Sequence, residues 1–194
     1  MRTWIIGSTS DYSKAVADRC HGVTKFGRHN IDYGQSFEAF IKKQQHLPNQ
    51  IFMNIGVEEK YSVPHNAPDG DVRDMLMKFS ETWLWKLRLY QWFNNHKIPC
   101  TICDVTSTIT MWPANFPEHV HYAVERAMGQ QIAMANNTNK LKIIQVSPNG
   151  ITPERVEEYA DKTVAWMNEP DNAVMHIVDL DNDNLVGLRV VPIE

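Results

Sequence analysis

The sequence has no basic tract, no long apolar run and little cysteine, and each absence excludes a class of protein. Its net charge is −4, and its 19 Lys and Arg residues are spread along the chain. Because nucleic-acid binding depends on clustered cations, no nucleic-acid partner is predicted. No apolar run approaches the roughly 18 residues that span a bilayer, and no signal-peptide pattern opens the chain. We therefore expect a cytoplasmic protein without a membrane partner.

The three cysteines do not predict a disulfide framework, because their number is low and odd. Cys100 and Cys103 have the spacing of a redox or metal-binding pair. They lie, however, within a predicted strand, where positions three apart point to opposite faces. Metal sites built on such a pair also need a second pair of ligands, and the sequence offers none with suitable spacing. No metal site is therefore predicted.

The order of apolar segments is typical of an α/β fold. With 194 residues, of which 43% are hydrophobic, the chain suits one domain, residues 1–194, with a sizeable core. Short β-prone runs alternate with segments of helical periodicity. The predicted strands are 3–6, 22–26, 50–55, 101–105, 141–146 and 174–180, and the predicted helices are 14–20, 36–45, 72–94, 118–136 and 153–167. This alternation predicts a parallel sheet with helices on both faces, in three layers.

The first predicted strand runs into a helix through a short polar turn. Gly7 ends the strand, and Ser8, Thr9 and Ser10 follow it. A strand, a tight turn and a helix in this order present backbone N–H groups to a phosphate. Asp11 leaves two alternatives open. Either its carboxylate points into the turn and repels a phosphate, or Asp11 or Ser10 caps the helix.

Tyr122 and Arg126 are the candidate catalytic residues. They lie four residues apart in a predicted helix, so both side chains share one face. A fixed cation beside a phenol favours the phenolate, which lets a tyrosine act as an acid or a base. Ser107 follows the preceding strand, where its hydroxyl can hydrogen-bond the same substrate oxygen. The alternative, a purely structural Tyr–Arg pair, has the same spacing.

The order of these motifs resembles the short-chain dehydrogenase/reductase family. That family has Ser-Ser after its fifth strand, Tyr-x-x-x-Lys on the next helix, and a Pro-Gly turn with a following Thr after its sixth strand. The matching residues are Ser107, with Thr108 as a competing assignment, Tyr122, Arg126 in place of the lysine, Pro148 and Thr152. The resemblance implies a Rossmann-like, doubly wound sheet. It also implies an NAD(P)(H)-dependent oxidoreductase that interconverts a carbonyl and an alcohol.

The resemblance assigns a role to each candidate catalytic residue. Tyr122 is the general acid or base, Ser107 orients the substrate oxygen, and Arg126 supplies positive charge and touches the ribose. Because arginine stays protonated in proteins, it relays protons poorly, and slow turnover is expected. The segment that covers the substrate in the family is deleted or minimal, since residues 150–152 lead straight into the predicted helix 153–167.

The same resemblance implies a dinucleotide at the Gly7 turn. Gly7 matches the first glycine of the family's Gly-x-x-x-Gly-x-Gly motif, whereas Asp11 and Ser13 replace the other two. Arg28, after the second strand, suits a 2′-phosphate and so favours NADP over NAD; the alternative, a lone surface arginine without a ligand, is equally common. The implied cofactor-binding residues are Gly7, Ser8, Thr9, Ser10, Tyr12, Arg28, Asp32, Asn54, Gly56, Tyr122, Arg126 and Pro148.

Two further segments complete the implied cofactor site. Ile31 and Asp32 resemble a shortened third strand, which would place Asp32 beside the adenine. Residues 54–57 resemble the family's Asn-Ala-Gly segment, which shapes the floor of the adenine and ribose site.

The predicted helix 72–94 is apolar on more than one face, which is typical of a helix that is buried or contacts a partner. In the family, this helix and the tyrosine helix form a subunit interface. We therefore expect a homodimer or homotetramer through helices 72–94 and 118–136.

The sequence lacks two of the family's turn glycines, its catalytic lysine and most of its covering segment, so functions other than an oxidoreductase stay open. These are a catalytically degenerate nucleotide sensor, an oligomeric interaction protein, or a different reaction such as epimerisation or dehydration.

Overall fold

The fold is known here from a computed structural model, which describes residues 1–27, 29–32, 35–55, 69–107, 120–138, 140–148, 151–168, 176–179 and 184–185. The helices in these ranges are α1 (Asp11–Arg19), α2 (Phe37–Ile41), α3 (Asp69–Asn95), α4 (Val120–Met134) and α5 (Val156–Met167), the last after a 3-10 turn (Pro153–Arg155). The strands are β1 (Thr3–Ile6), β2 (Val23–Phe26), β3 (Gln50–Met53), β4 (Cys100–Val105), β5 (Leu141–Ser147), β6 (His176–Asp179) and β7 (Asn184–Leu185).

The strands form one sheet in the order β2-β1-β3-β4-β5-β6-β7. Strands β1 to β6 run parallel, and β7 pairs antiparallel with β6. From β1 the chain adds β2 on one side and then crosses to β3 on the other, so the winding reverses between β1 and β3. Doubly wound sheets bind their ligands at the carboxyl ends of the strands beside such a reversal. The predicted doubly wound sheet is confirmed, and a site is expected beyond Ile6 and Met53.

Apolar cores lie on both faces of this sheet. In β1, Ile5 packs into the core that α1 and α5 cover, whereas Trp4 and Ile6 pack into the core that α2, α3 and α4 cover. This alternation follows from the period of two along a strand. β3 and β5 are buried along their whole length, as expected for parallel strands covered on both faces. The predicted three-layer arrangement is confirmed.

The predicted third strand at 31–32 is wrong. After β2, the backbone N–H groups of Asn30 and Ile31 both donate to the carbonyl oxygen of Gly27, at 3.0 and 3.2 Å. The N–H of Gly27 donates in turn to the Asn30 side chain at 3.1 Å. Because the turn uses these groups itself, Ile31 does not pair with β2, which is the edge strand among the described residues. Ile31 is buried beside α2, and Asp32 is exposed.

Helix α3 is the longest of the described helices, with 27 residues, and it begins three residues before the predicted start at 72. One side is buried against the sheet through Trp85 and Phe93. The helix also carries exposed apolar side chains, including Met77 and Leu84. In the described ranges, no helix combines the length and the apolar character needed to cross a bilayer.

The three cysteines are free thiols. Cys100 packs on the face of the sheet that α3 covers, whereas Cys103 packs on the face that α1 covers. The prediction that the two side chains point to opposite faces is therefore confirmed. Burial raises the pKa of both thiols, so they stay protonated and unreactive at neutral pH.

Candidate functional site

The turn after β1 is locked against the ends of the two neighbouring strands. The N–H groups of Gly7 and Ser8 both donate to the carbonyl oxygen of Phe26, at 2.9 and 3.1 Å. Gly7 has a φ of +79°, and a Cβ at this position would lie 2.1 Å from the carbonyl oxygen of Asn54. Only glycine fits there, because the backbone just after β3 passes too close for a side chain. The predicted phosphate-binding turn therefore lies directly at the reversal of the sheet.

Ser13 takes the place of a glycine without leaving its hydroxyl unpaired. Its side chain is fully buried, and its Oγ lies 2.8 Å from Ser10 Oγ and 3.3 Å from Asn54 Nδ2. The Ser13 N–H donates to Ser10 Oγ at 3.1 Å, and Asn54 Nδ2 donates to the same oxygen at 3.1 Å. A small polar side chain thus holds α1 close to the end of β3. This position was predicted only as a departure from the glycine motif.

Asp11 does not point into the turn. Ser10 is the N-cap residue of α1, which decides between the two capping alternatives. The exposed Asp11 carboxylate accepts a hydrogen bond from Lys14 Nζ at 2.7 Å. This hydrogen bond and the charge of Lys14 lower the pKa of Asp11. The negative charge therefore faces solvent beside a compensating cation.

The Tyr12 side chain lies in the core and not on the surface of the turn, and its assignment to the cofactor site stays a prediction. Its ring is 1% exposed and packs edge-on against Phe52 at 5.4 Å between ring centroids. Its hydroxyl is hydrogen-bonded to Thr163 of α5. Burial raises the pKa of Tyr12 further above its usual value. The residue follows the exposed Asp11 by one position and so turns toward the sheet, where it joins α1 to α5.

Tyr122 and Arg126 are in contact on α4, as their spacing predicts. The guanidinium carbon of Arg126 lies 5.0 Å from the centroid of the Tyr122 ring. Arg126 Nη1 donates to the carbonyl oxygens of Val105 and Ile55, at 2.9 and 3.3 Å. These two carbonyls end β4 and follow β3. Arg126 therefore bridges the carboxyl ends of two strands, close to the Gly7 turn.

The surroundings of Arg126 keep it charged. Burial alone would lower the pKa of Arg126, but Tyr122, Glu125 and Asp104 together raise it above its ordinary value. The cation is consequently permanent, and two backbone oxygens accept hydrogen bonds from its Nη1. A half-buried phenol thus lies beside a permanent positive charge.

No protein-family model and no curated protein matches the sequence. The fold, however, matches that of solved structures. A carbonyl reductase from Pseudomonas aeruginosa PAO1 superposes with a TM-score of 0.72 at 15% identity, over 95% of this chain and 99% of that chain. A structure of a carbonyl reductase from the same organism in complex with NADP gives 0.69 at 14% identity, over 95% and 99%. A short-chain dehydrogenase/reductase from Vibrio parahaemolyticus gives 0.60 at 12% identity, over 84% and 91%.

The chain has the fold of the short-chain dehydrogenase/reductases. The fold that the resemblance implied is therefore confirmed.

Several residues that the resemblance assigns to a dinucleotide site lie at the carboxyl ends of the strands. Gly7 lets the turn pack against the backbone of Asn54, and Ser8 and Thr9 lie at least partly exposed beside it. A Cβ on Gly27 would lie 3.5 Å from both Ser8 Oγ and Thr9 Cγ2, so the residue before Arg28 adjoins the turn. Arg28 itself and Gly56 lie outside the described residues. The Asn54 side chain holds the turn in place through its hydrogen bonds to Ser10 and Ser13.

Ser107 and Pro148 lie just beyond the neighbouring strands β4 and β5, Pro148 directly and Ser107 after one intervening residue. Thr106 keeps β4 paired with β5, because its N–H donates to the carbonyl oxygen of Val146 at 2.8 Å. Its hydroxyl accepts a hydrogen bond from Gln130 Nε2 of α4 at 3.4 Å. Ser107 is the next residue and is partly exposed, whereas Pro148 is buried. The competing residue, Thr108, lies outside the described residues.

A buried ion pair beneath this site was not predicted from the sequence. Lys86 Nζ lies 2.8 and 3.2 Å from the two carboxylate oxygens of Asp104, and both side chains are at most 3% exposed. Tyr90 donates a hydrogen bond to Asp104 at 3.3 Å. A Cβ on Gly129 would lie 3.6 Å from Lys86 Nζ, an ordinary van der Waals contact, so the lysine lies close under α4. The sequence did contain a signal for this pair. The apolar helix segment carries a lysine, and the apolar strand segment carries an aspartate of opposite charge.

We expect Gly7→Ala to lower the melting temperature markedly. The alanine Cβ would overlap a backbone oxygen and would need a positive φ, together a loss of about 1–3 kcal/mol, or roughly 2–12 °C. Gly70→Ala in α3 is the matched control, because nothing lies within 4 Å of that position. Alanine is the better helix former, so this control should melt at the same temperature or slightly higher. Equal melting temperatures for the two variants would contradict the close packing of the turn.

Proposed function

We propose that this protein is an oxidoreductase that transfers a hydride between a nicotinamide dinucleotide and a carbonyl or alcohol substrate. The observation that supports the proposal best is the contact between a phenol and a fixed cation, Tyr122 and Arg126. Arg126 reaches the chain just after β3, and β3 pairs with β1, which leads into the Gly7 turn. The pair therefore stands at the edge of the sheet where this fold binds ligands.

In the reductive direction, Tyr122 donates its phenolic proton to the carbonyl oxygen of the substrate. The Ser107 hydroxyl donates a hydrogen bond to the same oxygen and orients it. A bound nicotinamide supplies the hydride that the carbonyl carbon accepts, and it takes a hydride back in the reverse direction. Arg126 stabilises the phenolate that remains, but because it stays protonated it does not pass on a proton. Reprotonation of Tyr122 then depends on solvent, which predicts slow turnover.

The proposed cofactor is NADP in preference to NAD. The turn formed by Ser8 and Thr9 adjoins Gly27, and Arg28 is the next residue. A cation at this point suits a phosphate on the adenosine ribose. Asn54 and Gly56 complete the proposed cofactor-binding segment after β3.

NADPH is expected to raise the melting temperature more than NADH does. At about 100 times its Kd a ligand adds about 2.7 kcal/mol of stability, which for a chain of this size is roughly 5–11 °C. Arg28→Ala should bring the NADPH shift down to the NADH shift. Arg2→Ala is the matched control, because Arg2 precedes β1 at the opposite end of the strands. The absence of any shift at millimolar concentrations of either nucleotide would refute the cofactor assignment.

The second candidate is a catalytically degenerate nucleotide sensor or interaction protein. The observations that favour it are the replacement of two turn glycines by Asp11 and Ser13 and the use of Arg126 Nη1 for two backbone carbonyls. A sensor would show the NADPH-induced thermal shift without oxidising NADPH in the presence of any carbonyl compound. Turnover of a single carbonyl compound decides for the oxidoreductase.

We also propose that the protein assembles as a cytoplasmic homodimer or homotetramer through α3 and α4. These two helices pack on each other and carry five large exposed apolar side chains, Leu76, Met77, Leu84, Val124 and Met128. Exposed apolar area of this kind on adjoining helices is typical of a subunit interface. Light scattering should therefore give two or four times the chain mass of 22.4 kDa. A mass of one chain would contradict the proposal.

A further inference from the structure

Glu125 is a buried carboxylate that the proposed chemistry does not use. It directly precedes Arg126 on α4 and is 1% exposed. Its Oε2 lies 3.2 Å from Arg126 Nε. Neither atom makes a well-aligned hydrogen bond, so the contact is an ion pair between two groups removed from water. A buried carboxylate is costly unless a cation compensates it, and Arg126 supplies that cation.

The backbone at Glu125 is held independently of Arg126. Trp83 Nε1, on α3, donates a hydrogen bond to the Glu125 carbonyl oxygen at 3.2 Å. This bond ties the first half of α4 to α3. The backbone that carries the Glu125 side chain is therefore held in position.

Arg126 is contacted on two edges of its guanidinium plane. On one edge, Nε faces the Glu125 carboxylate. On the other, Nη1 donates to the carbonyl oxygens of Val105 and Ile55. A guanidinium is a rigid planar fork, so contacts on two edges determine the orientation of the plane. That plane lies over the Tyr122 ring.

We propose that Glu125 is a positioning residue that holds the guanidinium of Arg126 in its place between the strand ends and the Tyr122 ring. This inference rests on the proposed function for its effect on turnover, but not for its effect on the arginine. The charges around Arg126 are balanced: Glu125 lies beside it, and the other nearby carboxylate, Asp104, is paired with Lys86. Without Glu125 the strand-end contacts remain, but the side chain is free to turn about its last bonds.

The first test compares Glu125→Gln and Glu125→Asp in the full-length protein. Gln keeps the shape and removes the charge, whereas Asp keeps the charge. We expect Glu125→Gln to lower kcat roughly 10- to 100-fold, since a misplaced group costs about this much. The KM for NADPH should change less than the kcat. Glu125→Asp should recover part of the kcat, and Glu158→Gln, an exposed glutamate on α5 paired with Lys162, should leave it unchanged.

A second readout does not need turnover. In the 1H–15N spectrum of the wild-type protein, the Nε–H of a held Arg126 should give a sharp signal that exchanges slowly with water, and Arg126→Lys identifies it by its loss. We expect the signal to broaden or vanish in Glu125→Gln and to persist in Glu125→Asp. If the signal changes in this way but the wild type reduces no carbonyl, the proposed function is wrong. The positioning of Arg126 by Glu125 is then still supported. An unchanged signal in Glu125→Gln, or an unchanged kcat in an active enzyme, overturns the inference.

Discussion

Replacing Tyr122 by phenylalanine is expected to lower kcat by roughly 10² to 10⁴-fold, the usual contribution of a positioned acid or base. The variant removes one oxygen atom and keeps the ring beside the Arg126 guanidinium. Cofactor binding should therefore survive, and NADPH should still raise the melting temperature. The measurement is the oxidation of NADPH with the best substrate of a carbonyl panel.

Tyr159→Phe provides the matched control for this substitution. Tyr159 is buried against α1 and β5 on the opposite face of the sheet, so its variant should keep the wild-type kcat. If Tyr122→Phe also keeps the wild-type kcat, Tyr122 is not the proton donor. Loss of activity together with loss of the NADPH shift would instead indicate damage to the cofactor site.

Asp104→Ala should have the largest effect on stability of any substitution discussed. It leaves the Lys86 ammonium buried without its carboxylate and deprives Tyr90 of a hydrogen-bond acceptor. Breaking a buried ion pair from one side costs about 3–5 kcal/mol, which for a chain of this size lowers the melting temperature by roughly 6–20 °C. Thermal unfolding followed by circular dichroism measures the difference.

Two further variants test whether the lower melting temperature of Asp104→Ala comes from breaking the buried ion pair. Asp11→Ala removes the acid of an exposed pair and should change the melting temperature little, because exposed pairs contribute little to stability. Lys86→Met combined with Asp104→Leu removes both charges and should regain much of the loss. A double variant that is less stable than Asp104→Ala would show that the charges themselves stabilise the fold.

The order of strands and helices could be predicted because it depends on local periodicity. Each buried strand is a short apolar run, and each helix carries its own repeating pattern of apolar residues. The contact between Tyr122 and Arg126 was equally accessible, since a spacing of four along a helix places two side chains together. These features need no knowledge of which distant segments meet.

The features that escaped prediction depend on contacts between distant segments. Lys86 and Asp104 are 18 residues apart and belong to different elements, so nothing local pairs them. Ser13 is accommodated because Asn54, 41 residues away, reaches its hydroxyl.

The one error has a different origin. The third strand was inferred from the resemblance alone, whereas the backbone bonds at Gly27 close a turn that forbids it. The burial of the Tyr12 side chain was not predicted either, because it depends on contacts with Phe52 and Thr163 in distant segments.

The bridge that Arg126 makes between Ile55 and Val105 links local unfolding to the proposed catalysis. Its guanidinium joins the ends of β3 and β4, so any opening of the sheet at this point must release the arginine from at least one strand. The cation then leaves the phenol in the same event. Amide hydrogen exchange at the ends of β3 and β4 consequently reports the fraction of molecules in which the site is disassembled. Conditions that speed this exchange without unfolding the core should inactivate the protein reversibly and in the same proportion.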